Sequence, residues 1–334
     1  MATPPPVATV ITSMVPAASR PLPLVDRDVW TTGRTGTLAT MSEAPVLPTA
    51  TYAVTGATGH LGRLAVDALL RHGVPARNVF ALVRDTAKAD ELAALGVGVR
   101  EADYDRPETL EPALEGIERL LLVSSPTVGD RVTQHGNVIR AADAADVGFV
   151  VYTSVLHADE TELALAPEHA GTEDLLQASG LPFAVARNGW YVENYTGRLD
   201  EYLERGEIVG ASGDGRVSAA TRADYAEAAV SLLTGDIADQ QGYWELGGPA
   251  FSMSELADAI TETTGTKVVY RDVSPDEFTD ILRGAGMDED TARFVTSLEL
   301  SIARGELETD SPALENLLGR APTSLVDAIR AARV

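Results

Sequence analysis

Short apolar segments alternate with helix-like segments between residues 51 and 187, and this alternation restricts the fold more than any other feature. The apolar segments are TYAVTG, NVFALVR, VGVREADY, ERLLLVSS, GFVVYTS and PFAVAR. In the first segment between them, HLGRLAVDALLRHG, apolar residues recur at helical spacing, and Gly73 follows the last of them. Strands that are joined by helices pair in parallel and are covered on both faces. The pattern therefore predicts an α/β fold with a doubly wound parallel sheet.

Beyond residue 188 the alternation becomes irregular and helical patterns dominate. The segments GWYVENYTGRLDEYLERG, TRADYAEAAVSLLTG and SMSELADAITETTG are predicted helices, and GYWELGG is a predicted strand. The third of these helices opens at Ser252 or Ser254. We predict a sheet domain over residues 51–187, to which residues 217–235 contribute, and a smaller, mainly helical C-terminal lobe over residues 188–334.

Residues 1–50 differ in composition from the rest of the chain. They are rich in Pro, Ala, Thr and Val, and they lack the basic segment that precedes the apolar core of a signal peptide. Such a segment buries too little apolar surface to order itself, so we predict a disordered N-terminal extension. Met41 opens a short polar lead into the first strand, which suggests it as the natural start.

The composition disfavours several classes of function. The net charge of −24 repels the phosphates of nucleic acids and anionic membrane surfaces. The chain has no cysteine, its five histidines lack the spacing of a metal site, and no apolar run reaches the roughly 18 residues of a membrane helix. We expect a cytoplasmic protein that binds a small molecule, without metal, nucleic acid or membrane insertion. The oligomeric state stays open, a homodimer included.

The stretch TGATGHLG, from Thr55 to Gly62, places three glycines between the first strand and the first helix. At such a turn the pyrophosphate of a dinucleotide lies against the free N–H groups of the helix N-terminus. Gly56 would allow the tight turn, and Gly59 would let the backbone approach the phosphates. Gly62 would let the helix pack closely on the strand. The spacing is GxxGxxG rather than GxGxxG, and glycines at this place can also be purely structural.

The end of the second strand distinguishes between the two nicotinamide dinucleotides. An acidic residue there binds the ribose 2′-hydroxyl of NAD, whereas the sequence ALVRD has Arg84, which suits a 2′-phosphate. Lys88 would add a second positive charge. Asp85 could instead bind a plain ribose, and both cations could simply be solvated. Asp103, at the end of the third strand, could accept a hydrogen bond from the adenine amine.

Several motifs together resemble the NmrA-like branch of the atypical short-chain dehydrogenases, and within it the type 2 NAD(P)H:quinone oxidoreductases. They are TGATGHLG, ALVRD, ADY, LLLVSS, YTSVLHAD, EHAGTEDLL, RNGWYVENY and ATRADYA, and the similarity runs from about Tyr52 to the C-terminus. The resemblance implies a Rossmann fold, NADPH as preferred cofactor with NADH bound more weakly, and direct two-electron reduction of quinones without flavin or metal. The same branch includes regulators that sense NADP(H) without turning it over, and that alternative stays open.

The motifs and the resemblance together indicate two sets of site residues. Those expected to bind the cofactor are Gly56, Ala57, Thr58, Gly59, His60, Leu61, Gly62, Arg84, Lys88, Asp103, Ser124, Ser125, Pro126, Thr153 and Ser154. Those expected to border the nicotinamide and the acceptor are Asn188, Gly189, Trp190, Tyr191 and Glu193. Trp190 and Tyr191 either offer flat walls for an aromatic ring or belong to the core at a helix start. Pro126 departs from the family, in which a small polar residue is expected.

The Tyr-x-x-x-Lys pair of ordinary short-chain dehydrogenases is missing. Neither Lys88 nor Lys267, the two lysines of the chain, follows a tyrosine by four residues. The matching helix carries His169 and Glu173, which are either an acid with its orienting carboxylate or a solvated surface pair. His169 and Tyr191 are the candidate catalytic residues.

The missing acid favours a quinone over a simple ketone as the acceptor. Two-electron reduction of a quinone leaves a phenolate-like anion that can take its proton from water. Reduction of a simple ketone leaves an alkoxide, which needs a proton donor at once. Ser154 stands where the usual catalytic serine lies, although serine is also common at strand ends. Reductases of larger phenolic molecules belong to the same branch, but they depend on a lysine that this chain lacks.

Deletion of residues 1–40 tests the predicted extension. We expect the melting temperature and the activity of the truncated protein to stay nearly unchanged, because the segment has little apolar surface to bury against the rest. Thermal unfolding of both proteins under the same conditions is the measurement. A drop of several degrees in the truncated protein would show that the segment packs on the folded part.

Overall fold

The computed structural model describes residues 49–333, so the predicted extension lies outside the described residues except for its last two. Ala50 is buried, and its carbonyl accepts a hydrogen bond from the Asn78 side chain at 3.1 Å. The folded part therefore begins no later than Ala50, and not at residue 51 as expected.

The described residues form thirteen strands and fourteen α-helices. The strands are β1 (Tyr52–Thr55), β2 (Val79–Val83), β3 (Gly98–Glu101), β4 (Arg119–Leu122), β5 (Phe149–Val155), β6 (Phe183–Asn188), β7 (Trp190–Tyr191), β8 (Glu207–Gly210), β9 (Arg216–Val217), β10 (Ala219–Ala220), β11 (Gly242–Leu246), β12 (Phe251–Ser252) and β13 (Val269–Asp272). The helices are His60–Arg71, Asp90–Ala94, Leu110–Leu114, Arg131–Ala144, Ala166–Ser179, Glu193–Thr196, Leu199–Arg205, Arg222–Thr234, Ile237–Gln240, Met253–Thr264, Pro275–Gly284, Glu289–Ala303, Ala313–Leu318 and Leu325–Ala331.

Seven strands form one sheet in the order β11-β6-β5-β4-β1-β2-β3. Every neighbouring pair of strands in this sheet runs parallel. β4 and β5 are buried along their whole length, which explains why their sequences RLLL and FVVYTSV are mostly apolar and do not alternate. The predicted doubly wound Rossmann fold is confirmed.

After β3 the chain crosses to the other half of the sheet, so the switch point lies between the neighbouring strands β1 and β4. β2 and β3 lie on one side of this point, and β5 and β6 lie on the other. In such sheets the ligand crevice opens at the carboxyl ends of the two strands at the switch point. The Thr55 hydroxyl accepts a hydrogen bond from the Val123 N–H at 2.9 Å, which holds these two strand ends together. The loops after β1 and β4 therefore border the crevice.

The C-terminal half differs from the sequence prediction in two places. Residues 190–191 do not begin a helix but form β7, which pairs with β10. β11, which we expected in the C-terminal lobe, pairs with β6 and completes the main sheet. The helix Arg222–Thr234 also packs against the sheet through residues that include Tyr225 and Ala229. The division of the chain at residue 188 stays a prediction.

The C-terminal lobe is mainly helical and has an apolar core of its own, in which Leu256 and Ile302 are buried. Ser252 caps the helix Met253–Thr264 in a capping box with Glu255, which decides between the two candidate serines. None of the helices within residues 49–333 is long and apolar enough to cross a membrane.

The helix His60–Arg71 packs so closely on the glycine turn that Gly62 has no room for a side chain. A Cβ atom there would lie 2.3 Å from the Gly56 carbonyl oxygen. We expect Gly62→Ala to lower the free energy of unfolding by about 1–3 kcal/mol, as overpacking does. Gly284→Ala is the control, because Gly284 also lies in a helix, as its last residue, but has open space around it. Denaturant unfolding of both variants is the measurement, and equal stabilities would contradict the close packing.

Candidate active site

The turn after β1 has the conformation that its glycines were expected to allow. Gly56 has a φ of +57°, in the left-handed region, and its carbonyl accepts a hydrogen bond from the Gly59 N–H at 2.8 Å. The helix His60–Arg71 begins directly after Gly59, and no capping side chain or acidic residue occupies its first turn. The first N–H groups of this helix are therefore available to an anion.

A cleft of about 570 Å³ opens at this helix N-terminus, within the roughly 300–1,000 Å³ of small-molecule sites. Its lining residues are Thr58, Gly59, His60, Arg63, Leu64, Lys88, Glu91, Leu92, Glu193 and Arg222. Three of them are cations, and each already has an acidic neighbour: Arg63 pairs with Asp67 and Glu91, Lys88 with Asp85, and Arg222 with Glu193. The cleft thus combines free backbone donors with positive charge, which suits a ligand that carries phosphates.

Arg84 is exposed at the end of β2 and has no hydrogen-bond or ion-pair partner among the described residues. The competing acid, Asp85, is occupied: its carboxylate accepts a hydrogen bond from the Ala87 N–H at 3.1 Å and lies 3.6 Å from the Lys88 ammonium. A plain ribose would have to compete for a bonded carboxylate, whereas a 2′-phosphate would meet a free guanidinium. This arrangement favours the phosphate.

Asp103 is largely engaged within its own loop. Its carboxylate accepts a hydrogen bond from the Asp105 N–H at 3.1 Å and lies 3.6 Å from Arg106 Nε. Only 17% of its side chain is exposed. A contact from Asp103 to adenine stays a prediction.

Ser124, Ser125 and Pro126 form the loop directly after β4, which borders the crevice beside the glycine turn. Ser125 is buried and Pro126 is exposed. The Ser124 N–H donates to the Thr153 hydroxyl at 2.9 Å. Thr153 is itself buried, and its hydroxyl contacts this loop.

Ser154 and Glu173 belong to a buried ionic cluster beneath the site. The Ser154 hydroxyl donates to the Glu173 carboxylate at 2.5 Å, and Arg187 donates to the same carboxylate at 2.6 Å. Arg187 also pairs with Glu245 at 2.9 Å. The Glu173 side chain is therefore neither solvated nor directed at the neighbouring histidine, and the Ser154 hydroxyl is committed to this cluster.

His169 lies inside the molecule with only 6% of its surface exposed. Its Nδ1 contacts the Tyr152 hydroxyl at 2.8 Å. Burial and the charge of Arg131 hold the pKa of His169 well below its ordinary value, so the imidazole is neutral at neutral pH. His169 and Glu173 therefore form neither an acid with its orienting carboxylate nor a solvated surface pair. The helix Ala166–Ser179 buries both side chains, and each has a different partner.

β7 directs its two aromatic side chains to opposite sides, as the alternation along a strand requires. Tyr191 packs against the apolar cluster of the main sheet, and Trp190 packs against that of the C-terminal lobe. The two rings therefore do not face each other across one pocket. Asn188, at the end of β6, is buried, and a Cβ on Gly189 would lie 2.4 Å from the Ser218 carbonyl, so close packing requires this glycine.

Arg222 is a cleft residue that the sequence did not indicate, and it contacts Asn194. Arg222 lines the cleft, and its guanidinium lies 4.5 Å from the centre of the Tyr191 ring. Its backbone N–H is bound by the Glu193 carboxylate at 2.9 Å. Both residues stand within motifs of the resemblance, ATRADYA and RNGWYVENY, but nothing in the sequence shows that these two segments meet.

The contact between Arg222 and Asn194 determines how the amide is oriented. Arg222 donates to Asn194 Oδ1 at 3.1 Å. A guanidinium is only a donor, so the amide must present its oxygen to it. The amide nitrogen, Nδ2, is buried and has no hydrogen-bond partner among the described residues. A buried donor of this kind is costly unless a ligand or water completes it.

The sheet, the glycine turn and the cleft define a dinucleotide-binding protein of the Rossmann type. Residues 48–327 match the NmrA-like family, and the chain belongs to this family. Among its relatives is quinone oxidoreductase 2 of Escherichia coli strain K12, which is 42% identical over 277 residues. The aligned region covers 83% of this chain and 96% of that protein.

Two crystal structures have the same fold at substantial identity. The NADPH-dependent quinone oxidoreductase of Escherichia coli in complex with NADPH is 41% identical, with a TM-score of 0.80 over 85% of this chain and 100% of that one. Triphenylmethane reductase from a Citrobacter species in complex with NADP(H) is 35% identical, with a TM-score of 0.80 over 84% of this chain and 100% of that one. Both are reductases whose structures contain this dinucleotide.

The choice between NADPH and NADH can be tested at Arg84. We expect Arg84→Ala to weaken NADPH binding by about ten- to a hundredfold, because one charge-assisted hydrogen bond contributes roughly 1.5–3 kcal/mol. Binding of NADH should change little. Titration of both dinucleotides against the unaltered protein, Arg84→Ala and Lys88→Ala is the measurement. Equal affinity of the unaltered protein for the two dinucleotides would show that Arg84 has another role.

Proposed function

We propose that the protein reduces quinones to hydroquinones with NADPH, by direct two-electron transfer without flavin or metal. The observation that carries this proposal is the 42% identity to quinone oxidoreductase 2 over nearly the whole of that relative. The geometry of the site agrees with it, because the described residues supply a dinucleotide turn and an adjoining aromatic and amide surface.

The described residues fit a nicotinamide dinucleotide at two places. The left-handed Gly56 and the uncapped helix N-terminus suit the pyrophosphate, and the unpaired Arg84 suits a 2′-phosphate. When bound, this cofactor would supply a hydride, which is two electrons and one hydrogen, and one proton from water would complete the hydroquinone. The chain itself has to orient the two reactants, an effect worth up to about 7–11 kcal/mol in well-oriented systems.

We propose that the residues around Arg222 orient the acceptor. Its guanidinium holds the Tyr191 ring, and its side chain and backbone hold Asn194 and Glu193. We propose that Asn194 Nδ2, a buried donor without a hydrogen-bond partner among the described residues, binds a carbonyl oxygen of a quinone that lies beside Tyr191. A preorganised donor stabilises the negative charge that develops on that oxygen. We assign to Asn194 this electrostatic role and to Tyr191 the contact with the quinone ring.

The two candidate catalytic residues, His169 and Tyr191, are poorly suited to deliver a proton at neutral pH. Burial keeps His169 neutral by lowering its pKa, and burial raises the pKa of the Tyr191 phenol above its ordinary value. A general acid works best when its pKa lies near the operating pH. The site therefore acts by orientation and electrostatics, and the proton comes from solvent.

Loss of His169 should have a small effect on catalysis. We expect His169→Ala to lower kcat with benzoquinone by less than about tenfold, well short of the 10²–10⁴ that is typical for a general acid. Tyr152→Phe is the matched control, because it removes the hydroxyl that His169 contacts and leaves the imidazole in place. Near neutral pH the rates of both variants should follow the pH profile of the unaltered protein, since burial holds the pKa of His169 well below its ordinary value. A thousandfold loss in His169→Ala with intact NADPH affinity would make His169 the acid.

A rate assay with a panel of quinones tests the proposed function directly. Steady loss of NADPH with benzoquinone, in proportion to enzyme, is the expected result. Tight binding of NADPH without turnover of any quinone would instead favour a regulator that senses the dinucleotide. A homodimer in the cytoplasm that binds no nucleic acid stays our proposal for its state and partners, and light scattering measures the oligomer.

A further inference from the structure

A single residue of the β4 loop, Ser125, is held by three side chains from one face of the helix Arg131–Ala144. Arg131 Nε donates to the Ser125 carbonyl at 2.8 Å, and the Ser125 hydroxyl donates to the Gln134 amide oxygen. The Ser125 N–H donates to His135 Nε2 at 2.9 Å. These three residues, spaced i, i+3 and i+4, are called the Ser125 clamp below.

The clamp is buried and fixed by further contacts. Because His135 Nε2 accepts from Ser125, its proton lies on Nδ1, which donates to the Thr172 hydroxyl at 3.0 Å. Burial lowers the pKa of His135 to about 3, so this acceptor persists at neutral pH. Arg131 is paired with Glu168 at 3.1 Å, and Glu168 also accepts from the Gly129 N–H at 2.5 Å.

Burying charged and polar side chains to hold a surface loop costs free energy. An ordinary loop satisfies its backbone groups with water, whereas this one uses an arginine, a glutamine and a histidine that are each 5% exposed or less. Buried polar side chains stabilise a fold only when every one of them is bonded. The clamp therefore specifies one conformation of the loop rather than adding general stability.

The position of the loop indicates what that conformation serves. In the sheet, β2 lies on one side of β1 and β4 on the other, and Arg84 ends β2. If the adenosine half of a dinucleotide lies toward β2 and its pyrophosphate lies on the glycine turn, the nicotinamide half extends over the end of β4. The loop of Ser124, Ser125 and Pro126 then borders the nicotinamide ribose.

We propose that Arg131, Gln134 and His135 are positioning residues that hold the β4 loop in the conformation that receives the nicotinamide half of the cofactor. This inference rests on the dinucleotide binding of the proposed function. The clamp touches neither the cofactor nor the acceptor. It acts by preorganising the loop, so that binding does not have to order it.

Binding of two ligands of different length tests the clamp. The probes are NADPH and adenosine 2′,5′-bisphosphate, which carries the adenosine half alone. We expect His135→Ala to weaken NADPH by about tenfold, as the loss of one buried hydrogen bond would, and to leave the bisphosphate within about twofold. His135→Gln, which offers a new acceptor, should recover part of the NADPH affinity. Arg140→Ala, an exposed change in the same helix, is the matched control and should affect neither ligand.

Equal weakening of both ligands would show a general structural role and overturn the proposal, as would unchanged NADPH affinity in a folded His135→Ala. If that variant does not fold, Gln134→Leu, which releases the Ser125 hydroxyl, is measured with the same two probes and the same expected split. Failure of the unaltered protein to bind NADPH would overturn the proposed function together with this inference. Normal quinone turnover with no split between the probes would overturn the inference alone.

Discussion

The whole site depends on how closely the helix His60–Arg71 approaches the turn after β1. Gly62 stands where any side chain would collide with the Gly56 carbonyl, and the left-handed Gly56 turns the chain sharply enough to bring the helix there. The approach directs the first free N–H groups of the helix into the cleft. The same helix packs on Arg222–Thr234, so it also brings Arg222 to the rim of the cleft.

A second constraint is that the polar loops at the carboxyl edge of the sheet are held by side chains from beneath. The Thr55 hydroxyl joins the ends of β1 and β4, and the Thr153 hydroxyl holds Ser124. Further along the edge, Arg187 gathers the carboxylates of Glu173 and Glu245. Buried polar groups cost free energy unless they are bonded, so each of these contacts restricts the loops to one arrangement. A site that works by orientation needs this kind of rigid frame.

Burial also explains why His135, His169 and Tyr191 are poor proton donors. The imidazoles of His135 and His169 are neutral because desolvation disfavours their charged forms, and the Tyr191 phenol keeps its proton for the same reason. Arg84 lies where a phosphate would bind, whereas Arg222 lies beside Tyr191, where we propose that the quinone binds. A cation there fits an acceptor whose reduced form is an anion.

The sequence by itself determined the parallel sheet, the glycine turn, the helix cap region at Ser252 and the family, because these depend on spacing between neighbouring residues. It did not determine the partners of His169 and Glu173, the divergent directions of Trp190 and Tyr191, or the return of β11 to the sheet. The contact between Arg222 and Asn194 joins residues 28 positions apart, and the Ser125 clamp needs a helix face to meet a strand end. Only the tertiary structure decided these features, because a side chain's partner depends on which distant segments pack together. Local periodicity in the sequence does not specify those segments.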